Sequence, residues 1–230
     1  SLKQTGVPLG WVLVALTAPA ITYAFGWRWA LGMVMAIAIV ILVALQRVRA
    51  HWDDDRKPSA VHGRSMFAGL TVVWGVPALR WLAAATFCYS FVQLCLAGFL
   101  VIMLVEEAAY TLVAAGLLLS VTQGSGVIGR IVWGWYTDRS GDGLGMLFKL
   151  NIGMIACCAL IALVTPQWPS WALTALLVVF GASAVGWNGI FLAEIARRSP
   201  RGMVSVATGG AMVWSFGGIL VGPAMFATAH

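Results

Sequence analysis

The chain has 230 residues, 61% of them hydrophobic and 10% charged, with a mean hydropathy of +0.91 and a formal net charge of +6. A soluble domain carries about 25% charged residues, and so little polar material cannot cover a soluble core. A helix in lipid satisfies its backbone hydrogen bonds internally and can be apolar on every side, so the composition excludes a soluble domain and implies an all-α polytopic membrane helical bundle.

Crossing ~30 Å of hydrocarbon takes about 20 mostly apolar residues. By that measure seven spans are expected, near 7–25, 29–45, 81–105, 109–136, 146–164, 171–195 and 203–228. Pro8 falls in the first turn of the first span, where its missing N–H is harmless, whereas Pro19 and Pro223 lie deeper and are expected to kink their helices. The longest polar segment, 46–80, holds Arg47, Arg49, Arg56, Lys57, Arg64 and Arg80 around the acidic run Asp53 to Asp55. Its later part, 66–79, is apolar but too short to span and is interrupted by Gly75 and Pro77, as expected of an interfacial helix.

Lys and Arg collect on one side of this arrangement. Lys3, the linker cations, Arg139, Arg197, Arg198 and Arg201 share it, whereas the opposite side holds only Arg28, so the first side is expected to be cytoplasmic. Because the cations flank apolar runs instead of forming a patch, no nucleic-acid partner is expected. The partner is the lipid bilayer. Seven spans would leave the termini on opposite sides, and the chain opens at Ser1 without a methionine or signal-peptide pattern, as a fragment of a longer bundle would.

Cys88, Cys95, Cys157 and Cys158 lie in apolar runs with no CxxC spacing and no nearby histidine, so neither a metal site nor a disulfide framework is expected. His51, His62 and His230 fall in the linker and at the end. No acid pair, Ser/His/Asp set or HExxH pattern marks catalytic chemistry, and no cofactor is implied; an enzyme is not expected. Gly124, Gly126 and Gly129 fit GxGxxG, but a dinucleotide site needs a strand before it and a βαβ unit around it. Close helix packing by small residues is the better explanation, and Gly218 with Gly222, spaced as GxxxG, belongs to the same class.

One polar knot interrupts the later spans, from Gly129 to Lys149. Within it Gly134, Asp138, Arg139 and Gly141 form GxxxDRxG, which resembles the cytoplasmic loop signature of the major facilitator superfamily, with Asp142 and Gly143 where that family often has two bases. Three further segments agree in order. The run Lys3 to Gly10 followed by Gly26-Trp27-Arg28 resembles the fifth span of bacterial members, Glu194 to Gly202 the loop after the tenth, and Ala207 to Gly210 with Gly218 to Pro223 the eleventh. The resemblance implies a partial fold of this kind covering the fifth to eleventh of twelve spans. Residues 1–45 would be the last two spans of the N-terminal six-helix half, 46–80 the central cytoplasmic linker, and 81–230 five of the six spans of the C-terminal half. It also implies a permease of a bacterial cytoplasmic membrane that moves a small organic solute by alternating access. A polytopic membrane enzyme and a non-transporting membrane module remain as alternatives.

Two groups of residues are singled out. Arg130, Gly134 and Asp138 are spaced i, i+4, i+8 on one helix face, and Glu194 with Arg198 forms an acid–base i, i+4 pair at the same depth. Charges this near hydrocarbon are costly unless paired, so these groups, with Arg139 and Gly141, are expected to form a charge network that closes the cytoplasmic gate. Near the span midpoints Tyr89, Gln93, Gln123, Trp187, Asn188 and Trp214 are candidates to line a substrate cavity. The amides have interhelical hydrogen bonding as the alternative, and the aromatics core packing or lipid contact. No carboxylate lies near a midplane, so a coupling proton, if one is used, is carried elsewhere or the process is uncoupled.

Overall fold

The computed structural model describes residues 6–52 and 67–229, and among them every regular element is a helix. In chain order these are α1 (Gly6–Phe25), α2 (Trp27–Trp52), α3 (Ala68–Gly75), α4 (Pro77–Glu106), α5 (Leu112–Ser140), α6 (Gly143–Ile161), α7 (Ser170–Ala184), α8 (Asn188–Arg198) and α9 (Val204–Ala229). Helices α2, α4, α5, α6 and α9, together with the α7–α8 pair, are long and apolar enough to cross a membrane, and the described apolar stretch of α1 is shorter. The expected all-helical bundle is therefore present. Linker residues 53–66, with Arg56, Lys57, Arg64 and the run Asp53 to Asp55, lie outside the described residues, as do Lys3, His62 and His230.

Local chemistry fixes several helix ends. Thr111 caps α5 by accepting from the Ala114 N–H, and Asp142 caps α6 by accepting from the Gly145 N–H at 2.8 Å. Pro77 stands in the first turn of α4, where no N–H is required. The 66–79 stretch is accordingly two pieces. Its first part is α3 and its last residues open α4, with the chain bending at Val76.

Apolar side chains gain little by leaving lipid for one another, so packing in such a bundle rests on close backbone approach. Helix α5 lies against α7 and α1, and α9 against α4 and α3. At the α5–α7 seam a methyl group on Gly181 would strike the Thr122 carbonyl, and one on Gly126 would strike Val185. At the α4–α9 seam Gly218 approaches the Phe87 carbonyl, Gly222 packs on Phe91, and Ser90 and Ser215 share a 2.6 Å hydrogen bond. Gly126 and Gly129 of the first glycine pattern and both glycines of the second thus serve helix packing, whereas Gly124 faces open space. Helix α2 packs on α1 and leaves most of its length exposed.

Gly181→Ala should force α5 and α7 apart and destabilise the bundle by about 1–3 kcal/mol, as overpacking does. Gly124→Ala, where an added methyl meets nothing within 4 Å, should shift stability by under ~0.5 kcal/mol. Thermal unfolding of both variants in detergent measures the difference, and equal melting temperatures would contradict this account of the seam.

Candidate functional site

The sixth span runs from Ser170 to Arg198 with one irregular turn inside it. Helix α7 ends at Ala184, α8 starts at Asn188, and Val185-Gly186-Trp187 form the turn between them. Stopping a helix frees carbonyls at its C-terminal end, and away from water each needs a donor. Two side chains of α5 supply donors: the Trp133 indole N–H donates to the Ala182 carbonyl at 3.0 Å, and Arg130 Nε donates to the Val185 carbonyl at 2.9 Å. A side chain at Gly186 would collide with the Ala182 carbonyl and the Trp133 ring, so glycine is what admits the indole. Arg130 is buried, with 3% of its surface exposed.

Around the break stands an aromatic cluster. Trp187, 1% exposed, stacks on Tyr89 of α4 with ring centroids 5.0 Å apart and 19° between planes, and meets Phe191 edge-on at 5.5 Å. Its indole N–H donates to Gln93 Oε1 at 3.1 Å, and the Tyr89 hydroxyl donates to the Leu147 carbonyl of α6. Three of the six cavity candidates, Tyr89, Gln93 and Trp187, are thus in direct contact, and half-buried Asn188 is the next residue along the chain. Gln123 is buried on α5, and Trp214 belongs to a different stack, with Trp74 of α3. The contacts of Gln93 and Tyr89 are interhelical hydrogen bonds.

At the far end of α8 lies a charge clamp. Glu194 is 2% exposed and forms ion pairs with Arg198 and with Arg197, the latter at 3.1 Å. Arg197 also reaches the Gly141 carbonyl at 3.5 Å, and the Glu194 side chain lies against the Cα of Gly143, at the first turn of α6. A carboxylate there is favoured by the positive end of the helix dipole. Gly141 terminates α5 in the left-handed conformation at φ +69°, its N–H donating to the Thr137 carbonyl.

The rest of the motif is arranged differently from a loop. Helix α5 continues to Ser140, so Asp138 and Arg139 occupy its last turn. Arg139 lies over the Trp135 ring at 4.2 Å; Asp138 is exposed and forms no ion pair among the described residues. Beside Gly134 there is open space. The structure therefore brings Glu194 and Arg198 together, adds Arg197 and the α5–α6 turn, and holds Arg130 at the helix break. Sequence spacing could have found Arg197, at i+3 from Glu194; it had no signal for Trp133, whose acceptor is a carbonyl 49 residues away.

Elsewhere, a cavity of about 500 Å³ between α4, α6, α7 and α9 is lined mainly by apolar side chains, including Phe91, Cys95, Phe99, Cys158 and Phe180. No cluster of three or more metal-ligating side chains occurs among the described residues, and all four cysteines are free thiols. The family model described as Major Facilitator Superfamily matches residues 1–223. No curated protein matches the chain significantly.

Trp133→Phe retains an aromatic ring but leaves the Ala182 carbonyl without its donor. It should cost about 1–3 kcal/mol, the range for an orphaned buried polar group. Unfolding in detergent would register this as a lower melting temperature; an unchanged value would show that the carbonyl needs no such partner.

Proposed function

Because the chain belongs to the Major Facilitator Superfamily, a family of secondary transporters in multi-pass membrane form, we propose that it serves alternating-access movement of a small organic solute across a bacterial cytoplasmic membrane. Solute contacts come from Tyr89, Gln93, Gln123, Trp187, Asn188 and Trp214, and the cytoplasmic gate from Arg130, Gly134, Asp138, Arg139, Gly141, Glu194 and Arg198. The observation that carries this reading is the broken α7–α8 span with Trp187 and Asn188 at the break. Discontinuous helices near the bilayer midplane are where transporters of several folds hold their cargo, because the backbone there has polar groups to offer.

The gate is favoured by a second observation. Arg197, paired with Glu194 within α8, reaches the Gly141 carbonyl, and Glu194 packs against Gly143, so these two residues tie the end of α8 to the turn between α5 and α6. Both ion pairs lie within α8, so opening that end of the bundle parts Arg197 from the Gly141 carbonyl and lifts Glu194 away from Gly143. Asp138, exposed in the state described, then acts when the elements around it move. Any coupling to protons lies outside the carboxylates near these midplanes, since there are none.

Asp138→Asn, placed in the full-length protein, should abolish transport in proteoliposomes while leaving the protein in the membrane. The assay screens organic anions, neutral solutes and drugs with and without a pH gradient, and an unchanged rate in the variant would remove Asp138 from the gate. Failure of the parent protein to move any solute would instead count against transport itself.

A further inference from the structure

The cavity of about 500 Å³ between α4, α6, α7 and α9 lies apart from the helix break and from the charge clamp. Helix α6 meets Glu194 at Gly143, in its first turn, and reaches the cavity at its other end, through Cys158 and Ile161. Four phenylalanines, Phe91, Phe99, Phe180 and Phe226, stand in the wall, and Phe99 packs on Phe226 with ring centroids 4.6 Å apart. One carboxylate lines the cavity, that of Glu107, exposed at the C-cap of α4. The chain reverses directly past it: Ala109 takes φ +57°, and the Tyr110 N–H donates to the Leu104 carbonyl at 2.9 Å. That conformation is strained for a residue with a Cβ, and it stops α4 at the level of the cavity. Residues 99–110, 158–172 and 222–229, which surround this end, contain Glu106 and Glu107 but no Lys or Arg.

We propose that this cavity binds an amphipathic organic cation, an apolar or aryl body carrying a single ammonium or phosphonium charge. Its volume of about 500 Å³ falls within the range of small-molecule sites, about 300–1,000 Å³, and such sites combine apolar walls with few polar groups. The walls take the apolar body. The faces of the four Phe rings carry partial negative charge and attract a cation, which a purely aliphatic wall would not do. Cys95, Met103 and Cys158 add polarisable sulfur, which makes favourable contacts with aryl groups. Glu107 sets the sign of the ligand. No cation in the surrounding segments neutralises its carboxylate, so a positive head is attracted there, whereas an anion would meet both Glu106 and Glu107. A phospholipid head, which brings a phosphate to the same place, is disfavoured for that reason. The cavity shares no residue with the six solute candidates named above and does not depend on them.

Calorimetric titration of the full-length protein in neutral detergent tests the site. Tetraphenylphosphonium is the probe, tetraphenylborate is the anion of the same shape, and protein-free micelles are the blank. Tetraphenylphosphonium should bind saturably, and tetraphenylborate about fivefold or more weakly. Glu107→Gln should weaken binding of the cation about threefold to fivefold, the effect of losing an exposed ion pair, and should not weaken the anion. Glu106→Gln, at a side chain outside the lining, should change cation binding by less than about twofold. Cys158→Phe, which adds a ring to the wall at an exposed position, should abolish binding with Glu107 intact. If Glu107→Gln fails to fold by circular dichroism, Cys158→Phe and the comparison of the two ions decide. Equal binding of both ions, cation binding unchanged in Glu107→Gln, or undiminished binding in Cys158→Phe overturns the site. So does absence of binding, the result expected where a second copy or another segment of the protein fills the cavity.

Discussion

A helix that stops inside an apolar bundle exposes carbonyls that water cannot reach, and the rest of this structure is arranged around that problem. The α7–α8 span stops at Ala184 and resumes at Asn188. The carbonyls of Ala182 and Val185 are satisfied by Trp133 and Arg130, both on α5. An unsatisfied carbonyl in hydrocarbon costs several kcal/mol, so α5 must lie against this span and present these two side chains at this level. The small residues follow from the same requirement. Gly126, Gly181 and Gly186 let α5 and α7 approach closely enough for the indole and the guanidinium to reach across.

The break also changes what the aromatic residues do. In the turn, Trp187 is placed where it stacks on Tyr89, meets Phe191 and donates to Gln93, joining α4 to α8, while the Tyr89 hydroxyl reaches α6. Stacking and edge contacts of this kind contribute about 0.5–1.5 kcal/mol each beyond burial. Four helices thus converge on one turn. Their polar atoms are largely committed to one another, which gives a cargo few groups to bind unless it competes for those bonds.

Much of the bundle was legible in the sequence because the bilayer imposes length and apolarity on each span, and those properties survive in residues 7–25 through 203–228 with shifts of a few residues. Gly141 was legible for a backbone reason, since a helix ending in a left-handed residue selects glycine. Gly126 and Gly129 of GxGxxG and the GxxxG pair were legible because only small residues permit the contacts they make, and Gly124 makes none. The break at Val185-Gly186-Trp187 was not, because the turn is itself apolar and contains no proline, so hydropathy runs through it unchanged. Nor could the sequence separate 66–79 into α3 and the start of α4, or seat α3 on α9 through Gly69 and Gly210. Side chain to carbonyl bonds across the bundle, such as Arg130 to Val185, involve an acceptor that every residue carries, and spacing gives no hint of which one is used.

Helix α8 connects the two features that matter most. It is an eleven-residue rod, ~16 Å long at 1.5 Å per residue. One end adjoins Trp187 in the aromatic cluster; the other carries Glu194, Arg197 and Arg198 against the α5–α6 turn. Its hydrogen-bonded backbone makes it stiff, and the turn before it is the one place in the span where regular helical bonding is interrupted. A displacement of Trp187 carried by the rod would shift Arg197 against the Gly141 carbonyl. The coupling runs equally in the other direction, because linkage between two sites is reciprocal. Displacing Arg197 from the Gly141 carbonyl would thus bear on the stack on Tyr89, while the ion pairs, both internal to α8, travel with the rod.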